Sequence, residues 1–170
     1  GAQFVHFMLG PAVVALAVPL YEHRHEVRKT IFPIVAALLA GSVTAVVSAV
    51  GISILLGASP ETMTSMAPKS VTSPIAMGIA ERIGGLPSLT AGLVILTGIL
   101  GAIIGTPLFH AMGMKDWRAR GFAMGVTAHG IGTARAFQVN DVAGTFAAIA
   151  LGLNGVVTAI LVPLLIVLFL

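Results

Sequence analysis

The stretch GVTAHGIGTARAF at residues 125–137 gathers a histidine (His129), two hydroxyls (Thr127 and Thr133) and a guanidinium (Arg135) among the glycines Gly125, Gly130 and Gly132. A second stretch, KSVTSP at residues 69–74, places Ser70, Thr72 and Ser73 before Pro74. The chemistry these residue types share is recognition of a small anion. A helix start presents unpaired N–H groups and a partial positive charge, which favour a carboxylate or phosphate. Ser and Thr are cap-type residues, and proline suits a first helical turn. Glycines let a backbone approach a ligand closely, and Arg135 offers a forked cation. His129 changes charge near neutral pH and suits proton coupling, with Glu81 a second coupling candidate. Plainer roles compete with each of these. Hydroxyls in membrane helices often bond only to the preceding turn, His129 could be structural, and Arg135 could pair with Asp141. Glu81 and Arg82 could be a solvated helix end.

The elements that position these residues depend on the solvent around them. The chain is 57% hydrophobic and 9% charged, where a soluble domain carries about 25% charged residues. Residues 30–57, 86–109 and 142–170 hold no Asp, Glu, Lys or Arg, and residues 4–21 are a fourth apolar run broken only by His6. Such runs reach the length of about 20 residues that crosses a bilayer. The fold class is therefore an all-α integral membrane protein, multi-pass; the plasma membrane is its expected place. A β-barrel would show short alternating segments instead. With no cysteine there is neither a disulfide framework nor a thiolate metal site. His6, His23, His25, His110 and His129 are too scattered to suggest zinc. No HExxH, Gly-x-Ser-x-Gly or Walker motif appears, so neither an enzyme nor a cofactor is expected. The net charge of +3 comes without a nucleic-acid signature.

Two units share one layout. SVTSPIAMGIAERIGG followed by a span aligns with GVTAHGIGTARAFQVN followed by another, matching Val71-Thr72 to Val126-Thr127. Gly98 and Gly101 match Gly152 and Gly155. Each unit is expected to be a short broken helix, over 71–83 or 125–137, and then a full span. A helix over 71–83 is only about 20 Å long, too short for a hydrocarbon core of about 30 Å. Basic loops at 22–29 and 114–121 belong on one cytoplasmic side, and the spans 31–57 and 86–111 then separate them. The short segments therefore enter and leave by one face each, from opposite sides. This is the inverted-repeat plan of secondary transporters, with broken helices meeting at mid-membrane. The layout is a single domain over 1–170: scaffold-type helices at 4–29 and 30–57, repeat 1 at 58–111 and repeat 2 at 112–170. The stretch 58–70 is expected to be a polar loop, and the small-residue face AGSVTAVVSAVG at 40–51 suggests a homodimer.

Several stretches resemble one family. FMLGPAVVALAVPLY (7–21), PKSVTSPIA (68–76), IGGLPSLTA (83–91), TGILGAIIG (97–105) and above all AHGIGTARA (128–136) are similar to the LrgB/CidB family. That family includes the membrane half of the plastid glycolate/glycerate transporter, and the resemblance covers essentially the whole chain. It implies additional hydrophobic N-terminal helices before the opening stretch, absent from this sequence. Relatives often have an acidic residue where this chain has Gly78, which removes a proton-coupling role from that position. Two functions are implied. One is transport of small monocarboxylates such as pyruvate, acetate, glycolate or glycerate. The other is antiholin-like control of murein hydrolase export and cell lysis, acting with a small holin-like partner of the LrgA/CidA type. The residue reading favours the carrier, because broken helices and an embedded arginine suit an anion.

Overall fold

The computed structural model describes Tyr21 and residues 24–167. The expected span at 4–21 lies outside the described residues, apart from Tyr21. In chain order the helices are α1 Arg24–Lys29, α2 Ile31–Leu55, α3 Pro60–Met66, α4 Ser73–Arg82, α5 Pro87–Ala111, α6 Trp117–Val139 and α7 Asp141–Ile166.

Three of them, α2, α5 and α7, are long and apolar enough to cross a membrane. At 1.5 Å per residue each exceeds the core thickness of about 30 Å. Their outer faces are oily: Ile95, Leu96, Ile99, Leu100, Ile103 and Ile104 on α5 are all exposed. Such a surface is stable in lipid rather than in water.

The shorter elements fold back on themselves. Ser59 accepts the Thr62 N–H, Pro60 takes the first helical turn and Glu61 follows in that turn. These are ordinary helix-start signals, so α3 forms within the expected loop 58–70. The chain then turns through 67–72 into α4 and leaves it at Gly84, where φ is +80°. The Ser65 hydroxyl accepts the Leu86 N–H at 2.7 Å, and the Thr90 hydroxyl donates to the Ser65 carbonyl at 3.0 Å. The end of α3 is thereby tied to the start of α5, with α4 between them.

A second fold-back occupies α6. Asp116 starts the helix by accepting the Arg118 N–H at 2.9 Å, and it pairs with the Arg118 guanidinium at 2.7 Å. That guanidinium holds the Asp116 carboxyl below its ordinary range. The helix thus begins inside the basic stretch 114–121, earlier than the expected 125. It breaks at His129, where φ is 42° and ψ −133°. Beyond the break the chain reverses. A Cβ on Gly132 would lie 2.9 Å from the Met124 carbonyl oxygen. Trp117 and Val139 border one cleft, although a straight helix would hold them about 33 Å apart.

Packing ties the fold-backs to the long helices. Gly121 and Gly125 face the carbonyl oxygens of Ala143 and Ala147 on α7, where a Cβ would have no room. Ile34 and Leu38 on α2 join Phe122, Val126 and Phe146 in one apolar cluster. A cavity of about 530 Å³ beside it is bordered by Thr30, Pro33, Met114, Asp116 and Phe146. The starts of α2 and α6 and the segment after α5 therefore share one end of the bundle. Part of the small-residue face of α2 packs within the chain, while Ala40, Thr44 and Ser48 on the same stretch are exposed. Gly41 lies against Val126, and Ser42 is buried. Gly41 and Ser42 thus make contacts inside the chain.

Candidate functional site

At the centre of the bundle stands Asn154, midway along α7 and 1% exposed. Its Oδ1 accepts the Ser42 hydroxyl at 2.7 Å and the Thr158 hydroxyl at 3.2 Å. Its Nδ2 donates to the carbonyls of Ser70 at 3.2 Å and Val126 at 3.0 Å. Carbonyls only accept, so this amide can face one way only. One side chain thus joins α2, the turn before α4, the first half of α6, and α7.

His129 makes the second junction. Its Nε2 donates to the Val94 carbonyl on α5 at 2.8 Å, which fixes the proton on that nitrogen. A Cβ on Gly98 would lie 2.7 Å from His129 Cε1, and one on Gly101 would lie 2.5 Å from Ala128 Cβ. Glycine at both positions is what lets the break dock on α5. The Val94 side chain meanwhile packs with Ala67 and Val71 of the first fold-back. The two turns, at 67–72 and at 128–130, accordingly converge on the middles of α5 and α7.

Histidine at φ 42° occupies backbone space that favours glycine and is worst for a β-branched residue. His129→Val is expected to be less stable than His129→Gly by about 1–3 kcal/mol, although both lose the bond to Val94. Equal unfolding midpoints of the two variants in detergent would contradict the strain.

The expected site residues divide between two places. Ser70 is buried, with its carbonyl on Asn154. Thr72 holds the cap position of α4 without a side-chain cap bond, and Ser73 and Pro74 form its first turn. The Thr127 hydroxyl donates to the Ala123 carbonyl at 2.5 Å, and Thr133 donates to the His129 carbonyl at 2.8 Å. Both hydroxyls make the plain bond to a preceding turn. Gly132 is closely packed, whereas a Cβ on Gly130 would meet nothing within 4 Å. Glu81 and Arg82 are exposed at the end of α4.

Arg135 lies elsewhere. It is exposed, donates to Gln138 at 3.3 Å and borders the cleft shared by Trp117, Arg120 and Ala143. Ala143 and Asn154 are separated by about 16 Å along α7, so Arg135 is not brought to the Ser70 and His129 cluster. No ion pair joins it to Asp141 among the described residues; its recorded side-chain partner is Gln138. In the same cleft Arg120 is buried, donates to the Met114 carbonyl at 2.6 Å and stacks on Trp117 with 4.7 Å to the ring centroid. Among the described residues no group of His, Asp or Glu gathers that could hold a metal ion.

Sequence reasoning missed Asn154 and took Ser42 for a packing position. The available signal was the only amide in the uncharged run 142–170. A polar side chain in a spanning helix normally faces a partner inside the bundle.

Long apolar helices enclosing folded-back shorter ones around a buried polar centre define a multi-pass helical membrane protein. The chain belongs to the LrgB-like family, whose profile matches residues 1–168. It is 38% identical over 165 residues to the Bacillus subtilis protein YwbG, covering 97% of this chain and 73% of that protein. It is 31% identical over 169 residues to the holin-like protein CidB of Staphylococcus epidermidis, covering 99% and 74%. It is 32% identical over 164 residues to the antiholin-like protein LrgB of Bacillus mycoides, covering 96% and 71%. No solved structure matches the chain.

Proposed function

We propose that this protein carries small monocarboxylates, of the pyruvate, acetate, glycolate and glycerate class, across the membrane. The observation that carries the reading is the convergence of two folded-back segments on Asn154 and Val94. Irregular backbone at membrane depth is tolerated where it lines a protein-buried or watery cavity, and broken helices at mid-membrane form the binding sites of many secondary transporters. In this reading residues 58–111 and 112–170 are inverted repeats with re-entrant fold-backs. Gly98 and Gly101 receive the turn at His129 and Ala128, while a Cβ on Gly155 would lie 3.0 Å from Ile75 Cδ1 of α4, which supports the correspondence. Ser70, Thr72, Ser73, Pro74, His129, Gly130 and Thr133 flank the anion path. Arg135 draws the anion to the mouth of the second fold-back, and His129 or Glu81 serves coupling.

A second reading rests on the relatives' printed names, which favour it over the carrier. Holin-like and antiholin-like proteins are the named kin, and in this reading the chain regulates murein hydrolase export and lysis with a small holin-like membrane partner. Glycolate uptake into liposomes holding the purified protein, with and without a pH gradient, separates the two. The carrier gives saturable uptake and retains a larger dye. A lytic pore releases both without saturation. A regulator alone gives neither flux, and this result would end the carrier reading.

A further inference from the structure

Of the described Lys and Arg residues, only Lys69, Arg118 and Arg120 are not exposed. Arg118 pairs with Asp116, and Arg120 is held by the Met114 carbonyl and Trp117. Lys69 is different. It sits at the turn between α3 and α4, with Ala67, Pro68, Ser70 and Val71 around it in the chain all buried. Its N–H bonds to the Met66 carbonyl, but its ammonium has neither a hydrogen-bond acceptor nor a carboxylate among the described residues. Glu61, Glu81, Asp116 and Asp141 are all exposed. Every fully buried side-chain nitrogen and oxygen that is described has a partner, so this partly buried cation stands out.

We propose that Lys69 is the residue that selects an anion as the carried molecule: its ammonium pairs with the carboxylate at the turn that Asn154 holds through the Ser70 carbonyl. This rests on the carrier reading and names the group that recognises the charge. A partly desolvated ammonium with no counter-ion among the described residues is costly to keep in a bundle, and a bound carboxylate removes that cost. The location fits. Lys69 directly precedes Ser70, whose carbonyl is fixed by Asn154 where the two fold-backs meet. Arg135, by contrast, stands near the far end of the second fold-back. An ammonium is a compact point charge with three donors, enough to neutralise one carboxylate.

The test is uptake of glycolate, and of its uncharged analogue glycolamide, into liposomes containing the full chain. Wild-type protein should take up glycolate saturably, and glycolamide should compete at least tenfold less well. Lys69→Gln should raise the glycolate KM by about ten- to a hundred-fold and bring the two compounds close together. Lys69→Arg should preserve the preference for glycolate. A monodisperse Lys69→Gln or Lys69→Met protein with the wild-type KM overturns the assignment. Equal competition by glycolamide in the wild type also overturns it, whatever the variants do. Absence of saturable glycolate uptake in the wild type sinks the carrier reading itself, and that result appears before any variant is compared.

Discussion

Asn154→Leu is expected to destabilise the protein by about 2–4 kcal/mol, four bonds at the modest value each has in a membrane protein plus the cost of stranded groups. The loss is large because no partner can turn elsewhere cheaply. The carbonyls of Ser70 and Val126 belong to segments held by other contacts, and the Ser42 hydroxyl lies 2% exposed. Leucine fills the volume, so packing alone does not explain a fall. Asn154→Asp sharpens the argument: an aspartate still accepts from Ser42 and Thr158, but a carboxylate cannot donate to the two carbonyls. Both variants should unfold well below the wild type in a detergent titration. A shift under about 0.5 kcal/mol in Asn154→Leu, the size of an ordinary surface substitution, would mean that the fold-backs are held by other contacts.

Gly125→Val should be at least as damaging. A Cβ there would run into the Ala147 carbonyl oxygen and lie 2.7 Å from Ala150 Cβ. Backbone cannot change rotamer, so α6 and α7 must separate. Overpacking costs about 1–3 kcal/mol where side chains can move, and more where they cannot. Separation would also pull Val126 from Asn154. Gly152→Ala is the matched control, because nothing lies within 4 Å of its added Cβ. Near-wild-type melting of Gly152→Ala beside failure of Gly125→Val is the expected result, and the reverse order would refute the close packing.

Much of the frame was readable from residue order, because solvent dictates it. Uncharged runs become spans whatever their neighbours do, and the expected 31–57 and 86–111 differ from α2 and α5 by a residue or two at their ends. The fold-backs were harder. The glycines at 125, 130 and 132 invited a break on one of them, yet the chain breaks at His129, where docking on Gly98 and Val94 outweighs backbone preference. Placement of Arg135 depends wholly on which way the chain runs after that break, a tertiary fact that local spacing does not carry. Asn154 was hidden for a related reason. One amide in an apolar run has no period, and its partners outside α7 are distant in sequence.

That distance has a consequence for how the protein is made. Ser42 and Asn154 are separated by 112 residues, which at about 5–20 residues per second a ribosome adds in roughly 6–22 s. Through that interval α2 is in the bilayer without its cross-chain partner, and the Ser42 hydroxyl can turn only to its own helix. The central bond therefore closes only after α2 and α5 have been made and α7 has followed them. A nascent chain halted before residue 154 presents polar groups that the finished protein hides, a signature by which membrane proteases could tell an unfinished copy from a complete one.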